Sequence, residues 1–221
     1  MICDVIATGS TGNAVVLGDD VLIDCGVPYK KIAHIVPTLK LVLLTHRHQD
    51  HFNATTIRRL HEARPTLRFG CCEWMVPYIR AAGVSPTVID IYAPLFGCIY
   101  AYDKHRILIS AFPLYHDVEN CGYKITYEEQ QVLYATDTST LDHVIAKSYD
   151  LYLIEANHTE QELADRIRRK SETGEYVYEH RVEYTHLSRE TADAWLAMNA
   201  GRDSEIIYIH QHKEPTPKGE Q

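Results

Sequence analysis

Hydrophobic positions in this chain fall mostly in short runs separated by polar turns. Ile2–Ala7, Ala14–Leu17, Val21–Ile23 and Leu41–Leu44 come first, followed by Arg106–Ile109, Tyr123–Tyr127, Val132–Ala135, Leu151–Ile154 and Ile206–Ile209. Runs of this length, rich in Val, Ile, Leu and Tyr and bounded by Gly, Asp and Asn, predict strands. Helical spacing of apolar residues predicts helices over Ala54–Arg64, Glu73–Ala82, Glu160–Lys170 and Arg189–Asn199. Asn53, Thr159 and Ser188 stand where N-caps belong. Strands in hairpin-like succession, mixed with helices, predict an α/β (α+β) fold of two sheets covered by outer helices.

Composition narrows the class. The 221 residues are 45% hydrophobic and 24% charged, ordinary for a globular protein, which excludes disordered and fibrous chains. No apolar run approaches the ~20 residues of a bilayer span, so no membrane association is expected. The opening MICDVIATGST lacks the basic flank and apolar core of a signal peptide. Six cysteines without CxxC spacing read as reduced thiols of a cytoplasmic protein. With no repeat or linker, a single domain over 1–212 is expected, followed by a flexible tail over 213–221. The 13 histidines are the first pointer to metal or acid–base chemistry.

The strongest local signal is Thr45-His46-Arg47-His48-Gln49-Asp50-His51, directly after the buried strand Leu41–Leu44. Three imidazoles and a carboxylate in one strand-end loop combine borderline-soft and hard ligands, a mixture suited to zinc, manganese or iron. His116 follows the strand Arg106–Ile109 and the turn Phe112-Pro113-Leu114-Tyr115, Asp137 ends Val132–Thr136, and His210 ends Ile206–Ile209. Each alone is more often a satisfied structural residue. Together, all at strand ends, they make a seven-ligand set sized for two metal ions. At the last position His212 competes with His210, which abuts the strand.

These residues, in this order, resemble the metallo-β-lactamase fold hydrolases. So do Thr8-Gly9-Ser10-Thr11-Gly12-Asn13 and Val21-Leu22-Ile23-Asp24-Cys25-Gly26 near the start. The resemblance implies a four-layer αββα sandwich and two divalent metal ions, Zn²⁺ or Mn²⁺. It implies one ion on His46, His48 and His116, a second on Asp50, His51 and His210, and Asp137 bridging them. It further implies a metal-bridging hydroxide as nucleophile, oriented by Asp50. Glu155-Ala156-Asn157-His158 and Thr185-His186-Leu187-Ser188 are similar to elements of the phosphodiesterase branch, which includes tRNA 3′-processing nucleases. By that likeness Glu155 orients His186, and His186 protonates the leaving oxygen.

Within that branch the chain most resembles the small YycJ-like (WalJ-like) proteins, which implies an exonuclease-like phosphodiesterase with nucleic acid as substrate. It departs from them at Thr185, where they usually carry Gly, and at His210-Gln211-His212, where they usually continue His-Leu-Ser. The interval 138–209 is too short for the second domain that long RNA-processing members insert there. A homodimer accords with the pairing common in the superfamily. The alternative activity is hydrolysis of a small ester, lactone or thioester on the same metals.

Weaker features are weighed against plainer roles. Gly9–Asn13 lacks the Lys of a nucleotide-binding P-loop and is either a hairpin turn or a turn lining the site. Arg166, Arg168, Arg169 and Lys170, and separately Arg58, Arg59, Arg64 and Arg68, are phosphate-holding candidates or solvated helix faces. The net charge of −8 does not advertise nucleic-acid binding, so a local basic rim has to steer it. His158 is either a support for the site or structural, and the adjacent Cys71-Cys72 read as buried hydrophobes.

Overall fold

A computed structural model describes residues 3–94, 98–104 and 106–211. His212 and the tail from Lys213 lie outside the described residues. The first sheet contains β1 (Cys3–Ala7), β2 (Ala14–Leu17), β3 (Val21–Ile23), β4 (Leu41–Leu44), β5 (Arg68–Cys72) and β6 (Ile89–Tyr92), hydrogen-bonded in that order. The second contains β7 (Tyr100–Tyr102), β8 (Ile107–Leu114), β9 (Asn120–Tyr127), β10 (Gln130–Ala135), β11 (Leu151–Glu155) and β12 (Glu205–Ile209), again in sequence order. Pairing is antiparallel through β1–β3 and β7–β10, then parallel from β3 to β6 and from β10 to β12.

The near-continuous apolar strands follow from burial on both faces. Val21, Ile23, Leu41 and Leu43 point between the sheets, against Ile109, Tyr123, Tyr134 and Leu153 of the second sheet. Their neighbours Leu22, Val42 and Leu44 point the other way, into a layer with Ile57 and Leu60 of α2 (Ala54–Ala63) and Ile79 of α3 (Val76–Ala81). On the far side, Leu133, Tyr152 and Ile154 pack against Trp195 and Leu196 of α6 (Arg189–Asn199). Helices outside and two sheets within make the four-layer αββα sandwich. The remaining helices are α1 (Tyr29–Ile32), α4 (Glu160–Thr173) and α5 (Glu179–Thr185). No helix among the described residues is long and apolar enough to cross a membrane.

The caps stand where the sequence places them. Asn53 and Ser188 accept from the backbone N–H of Thr56 and Thr191, and Thr159 forms a full capping box with Glu162. Other boundaries differ. The helix expected over Glu73–Ala82 opens as a 3₁₀ turn at Glu73–Met75 and becomes α-helical at Val76. The turn expected at Phe112–Tyr115 is strand, because β8 continues through Pro113 to Leu114. Strand β7 covers only Ile107–Ile109, so Pro113 lies on an open edge where its missing N–H breaks no ladder. Strands β5, β6 and β7 and helices α1 and α5 were not expected.

Candidate metal centre

The loop after β4 is fixed by Asp24, at the end of β3. This carboxylate is fully buried. Its Oδ1 accepts the Thr45 backbone N–H and hydroxyl at 3.0 and 2.9 Å. Its Oδ2 accepts His51 Nδ1–H at 2.7 Å and the Tyr134 hydroxyl at 2.9 Å. The Thr45 hydroxyl in turn lies 3.0 Å from His46 Nδ1. One carboxylate thus sets the orientation of His51 directly and of His46 through Thr45. Gly26 is needed beside it, since a Cβ there would stand 1.7 Å from the Asp50 carbonyl oxygen.

The second sheet contributes its groups one element at a time. His116 follows β8 and donates Nδ1–H to the Thr185 carbonyl at 3.0 Å. Asp137 follows β10 and His210 follows β12, both in the left-handed region at φ 55° and 54°. Asn120 holds the first bend by donating to the Thr136 and Asp137 carbonyls at 2.9 and 2.7 Å. Glu155 ends β11, fully buried, and its Oε1 accepts from His186 Nδ1 at 2.6 Å and His210 Nδ1 at 2.9 Å. Its Oε2 accepts backbone N–H groups of Thr138 and Leu187 at 3.0 and 3.3 Å. His186 is the residue closing α5.

All seven residues expected as ligands converge. His46, His48 and His116 form one group, Asp50, His51 and His210 a second, and His46, His51 and Asp137 a third, with donor atoms within 4.8 Å in each. Asp137 Oδ2 is 3.0 Å from His51 Nε2, while its Oδ1 is 3.7 Å from His116 Nε2 and 3.6 Å from His210 Nε2. With Nδ1 of His46, His51, His116 and His210 engaged outside the cluster, each Nε2 turns inward. His46 Nε2 is buried with no hydrogen-bond partner. An inward, unsatisfied imidazole nitrogen among carboxylates is what a divalent cation would complete, so the donor set fits the metals the sequence implies.

The electrostatics separate the inner histidines into two kinds. Burial lowers His46, and lowers His116 to about 4, keeping both as neutral lone-pair donors. Burial would also lower His51 and His210, but Asp137 with Asp24 outweighs it at His51, and Asp137 with Asp50 and Glu155 lifts His210 to about 10. Glu155 sits at about 2, since His186 and His210 overcome the effect of its burial. His186 is raised by Glu155 against its own burial.

Residues 20–210 match the family described as the beta-lactamase superfamily domain. The chain belongs to that superfamily. Solved structures share its fold. YhfI from Bacillus subtilis, a metallo-beta-lactamase fold protein, is 20% identical over 95% of this chain and 85% of its own, with a TM-score of 0.70. The short form of human tRNase Z is 15% identical over 95% and 92%, with a TM-score of 0.66. A diphosphatase from the PhnP family is 14% identical over 95% and 86%, with a TM-score of 0.63. A search of curated proteins finds no match.

Several residues at the superfamily site were not singled out beforehand. Asp24 appeared only inside a motif, and its position at a strand end next to Gly-containing sequence was the available signal. Asn13 donates to His51 Nε2 at 2.8 Å, and Ser10 lines the central cavity, so the Gly9–Asn13 hairpin turn also reaches the site. Asp117, visible as the carboxylate right after His116, stands 3.1 Å from His116 Nε2 and 3.4 Å from His48 Nε2. Arg181 of α5 pairs with Asp117 and lines the same cavity.

The two basic runs prove largely structural. Arg59 stacks on Tyr29, Arg64 donates to the Val36 and Pro37 carbonyls, and Arg68 pairs with Asp90. Arg166 is buried, Arg168 pairs with Asp165, and Lys170 with Glu179. Cys71 and Cys72 are buried free thiols, as expected.

Proposed function

We propose that the protein is a metal-dependent phosphodiesterase acting on nucleic acid, exonuclease-like, as the YycJ-like resemblance implies. The observation that carries this reading is the Glu155–His186 pair, 2.6 Å apart, with His186 Nδ1 3.7 Å from Asp137 Oδ1. His46, His48 and His116 would hold one divalent ion, Zn²⁺ or Mn²⁺, and Asp50, His51 and His210 the other, with Asp137 between them. When bound, such ions supply an acidified water and positive charge for the oxygens at phosphorus.

The chain's own groups account for the rest. Glu155 fixes the His186 ring through Nδ1 and raises its affinity for a proton, which suits it to give a proton to a departing alkoxide. A carbonyl substrate with a better leaving group has less need of such an acid. Arg181, 69% exposed on the cavity wall, supplies a cation for a phosphate oxygen once it leaves Asp117. The likeness to tRNase Z and to a diphosphatase supports phosphorus as the reacting centre.

His186→Ala in metal-loaded protein, assayed on end-labelled single- and double-stranded DNA and RNA, tests this. A loss of about 10²–10⁴-fold with metal content unchanged is expected. Undiminished cleavage would remove His186 from its role. No cleavage by the wild type would shift the assignment to small esters, lactones or thioesters.

A further inference from the structure

Three cavities adjoin at the site. The central one, about 350 Å³, is lined by five of the candidate ligands, His48, Asp50, His116, Asp137 and His210. It shares Ser10 and Asp50 with a cavity of about 590 Å³, and His186 with one of about 300 Å³. Their charges differ. Arg47 lines the first beside Asp50, and Arg181 lines the central one, where it pairs with Asp117 and where Asp50 and Asp137 belong to the candidate metal ligands. The third has no Lys or Arg among its described lining residues and carries Glu160 and Glu183 instead. Its other polar groups include the hydroxyls of Ser139, Ser188 and Thr191, and Leu163, Ala164 and Ile167 give it an aliphatic wall. His158 also lines it, buried, with its Nδ1 lacking a hydrogen-bond partner.

We infer that the cavity beyond His186 is the leaving-group subsite and takes one terminal nucleoside that bears no further phosphate. The inference rests on the phosphodiesterase reading and deepens it. A proton donor for the departing oxygen must stand between phosphorus and the leaving group, and His186 is the residue shared by the central and third cavities. Hydroxyls suit ribose and base edges, and the aliphatic wall suits a base face. Two carboxylates repel an additional phosphate. The phosphate-bearing remainder of the chain then lies toward Arg181 and Arg47. In hydrolysis one water is consumed. Its oxygen bonds to phosphorus, the P–O bond to the terminal nucleoside breaks, and the proton on His186 passes to the departing oxygen. A proton from the water restores His186, and the products are a nucleoside hydroxyl and a chain ended by a phosphate monoester, which the same subsite then excludes, so that one terminal nucleoside is removed per chain.

The test uses metal-loaded full-length protein and four probes: a dinucleoside monophosphate, the same compound with an added 5′-terminal or 3′-terminal phosphate, and bis(p-nitrophenyl) phosphate. One of the two phosphorylated dinucleotides should be cut at least about tenfold more slowly than the parent, which also identifies the leaving end. Glu183→Lys, at an exposed position of α5, should reduce that penalty at least threefold. Ala164→Phe, which fills the cavity from an exposed position of α4, should raise KM for the dinucleotide about tenfold. Equal rates on all three dinucleotides, or a penalty indifferent to Glu183→Lys, overturns the subsite while leaving the phosphodiesterase reading intact. Failure to cleave any probe, bis(p-nitrophenyl) phosphate included, overturns that reading and the subsite with it.

Discussion

The two sheets supply the same centre by different means. From the first sheet, His46, His48, Asp50 and His51 come from one loop after β4, held by the carboxylate of Asp24 at Thr45 and His51 and by Asn13 at Asp50 and His51. From the second, His116, Asp137, Glu155 and His210 follow or end β8, β10, β11 and β12, and His186 closes α5. Concentrated ligands share these supports and should fail together. Distributed ligands are each braced by their own strand and should fail singly.

The largest break is expected at the shared anchor. Asp24→Ala leaves Thr45, His51 and Tyr134 without their common acceptor, and removing one member of such a buried set costs about 3–5 kcal/mol. Denaturant unfolding reads the stability loss, and metal analysis should show both ions depleted. Gly26→Ala, which drives a Cβ into the Asp50 carbonyl, should deplete metal in the same way while leaving the second-sheet ligands in place. Retention of a full metal complement in either variant would refute the shared-support account.

A smaller effect is expected on the distributed side. His116→Ala should lower metal content by about one ion, with the fold retained, because the remaining donors stay on their own strands. Chelation should lower the melting midpoint of the wild type more than that of this variant, since bound ions stabilise the folded state in proportion to their occupancy. Unfolding of His116→Ala comparable to that of Asp24→Ala would erase the distinction between the sheets.

Farther from the centre the costs fall again. Thr159→Ala removes the capping box of α4 and should cost about 1 kcal/mol, with metal content unchanged. The smallest effect concerns acid stability. Burial would raise the Glu179 carboxyl, but the Lys170 ammonium at 2.6 Å holds it below its ordinary value of 4.5. A depressed carboxyl contributes stability above its unfolded pKa and loses it as pH falls through the folded one. Glu179→Gln should therefore flatten the acid limb of stability below about pH 4.5. An unchanged limb would show that Lys170 does not act on Glu179 in this way.

The same contrast between sheets governs what could be read beforehand. The contiguous histidines were legible because a strand-end loop places near neighbours in sequence near one another in space. Most strands were legible because burial on both faces makes them continuous apolar runs. Arg68–Cys72 was missed because Gly70 and two cysteines interrupt the usual β-branched signal, and Ile89–Tyr92 because Asp90 sits mid-strand, satisfied by Arg68 and Tyr102. Arg64 and Arg68 looked like a phosphate surface, since a sequence shows a charge but not the carbonyl or carboxylate that consumes it.

By itself, then, the sequence determined the strand-and-helix alternation, the three caps and the residue types of the centre, all properties of local pattern and chemistry. Only the tertiary structure decided that Asp24 anchors the histidine loop, that Glu155 serves His186 and His210 together, and that Arg181 and Glu183 line two different cavities that share His186. Those relations join residues far apart in the chain. They exist only once the sheets pack and their strand ends meet at one edge, where buried polar groups must find partners in space rather than in sequence.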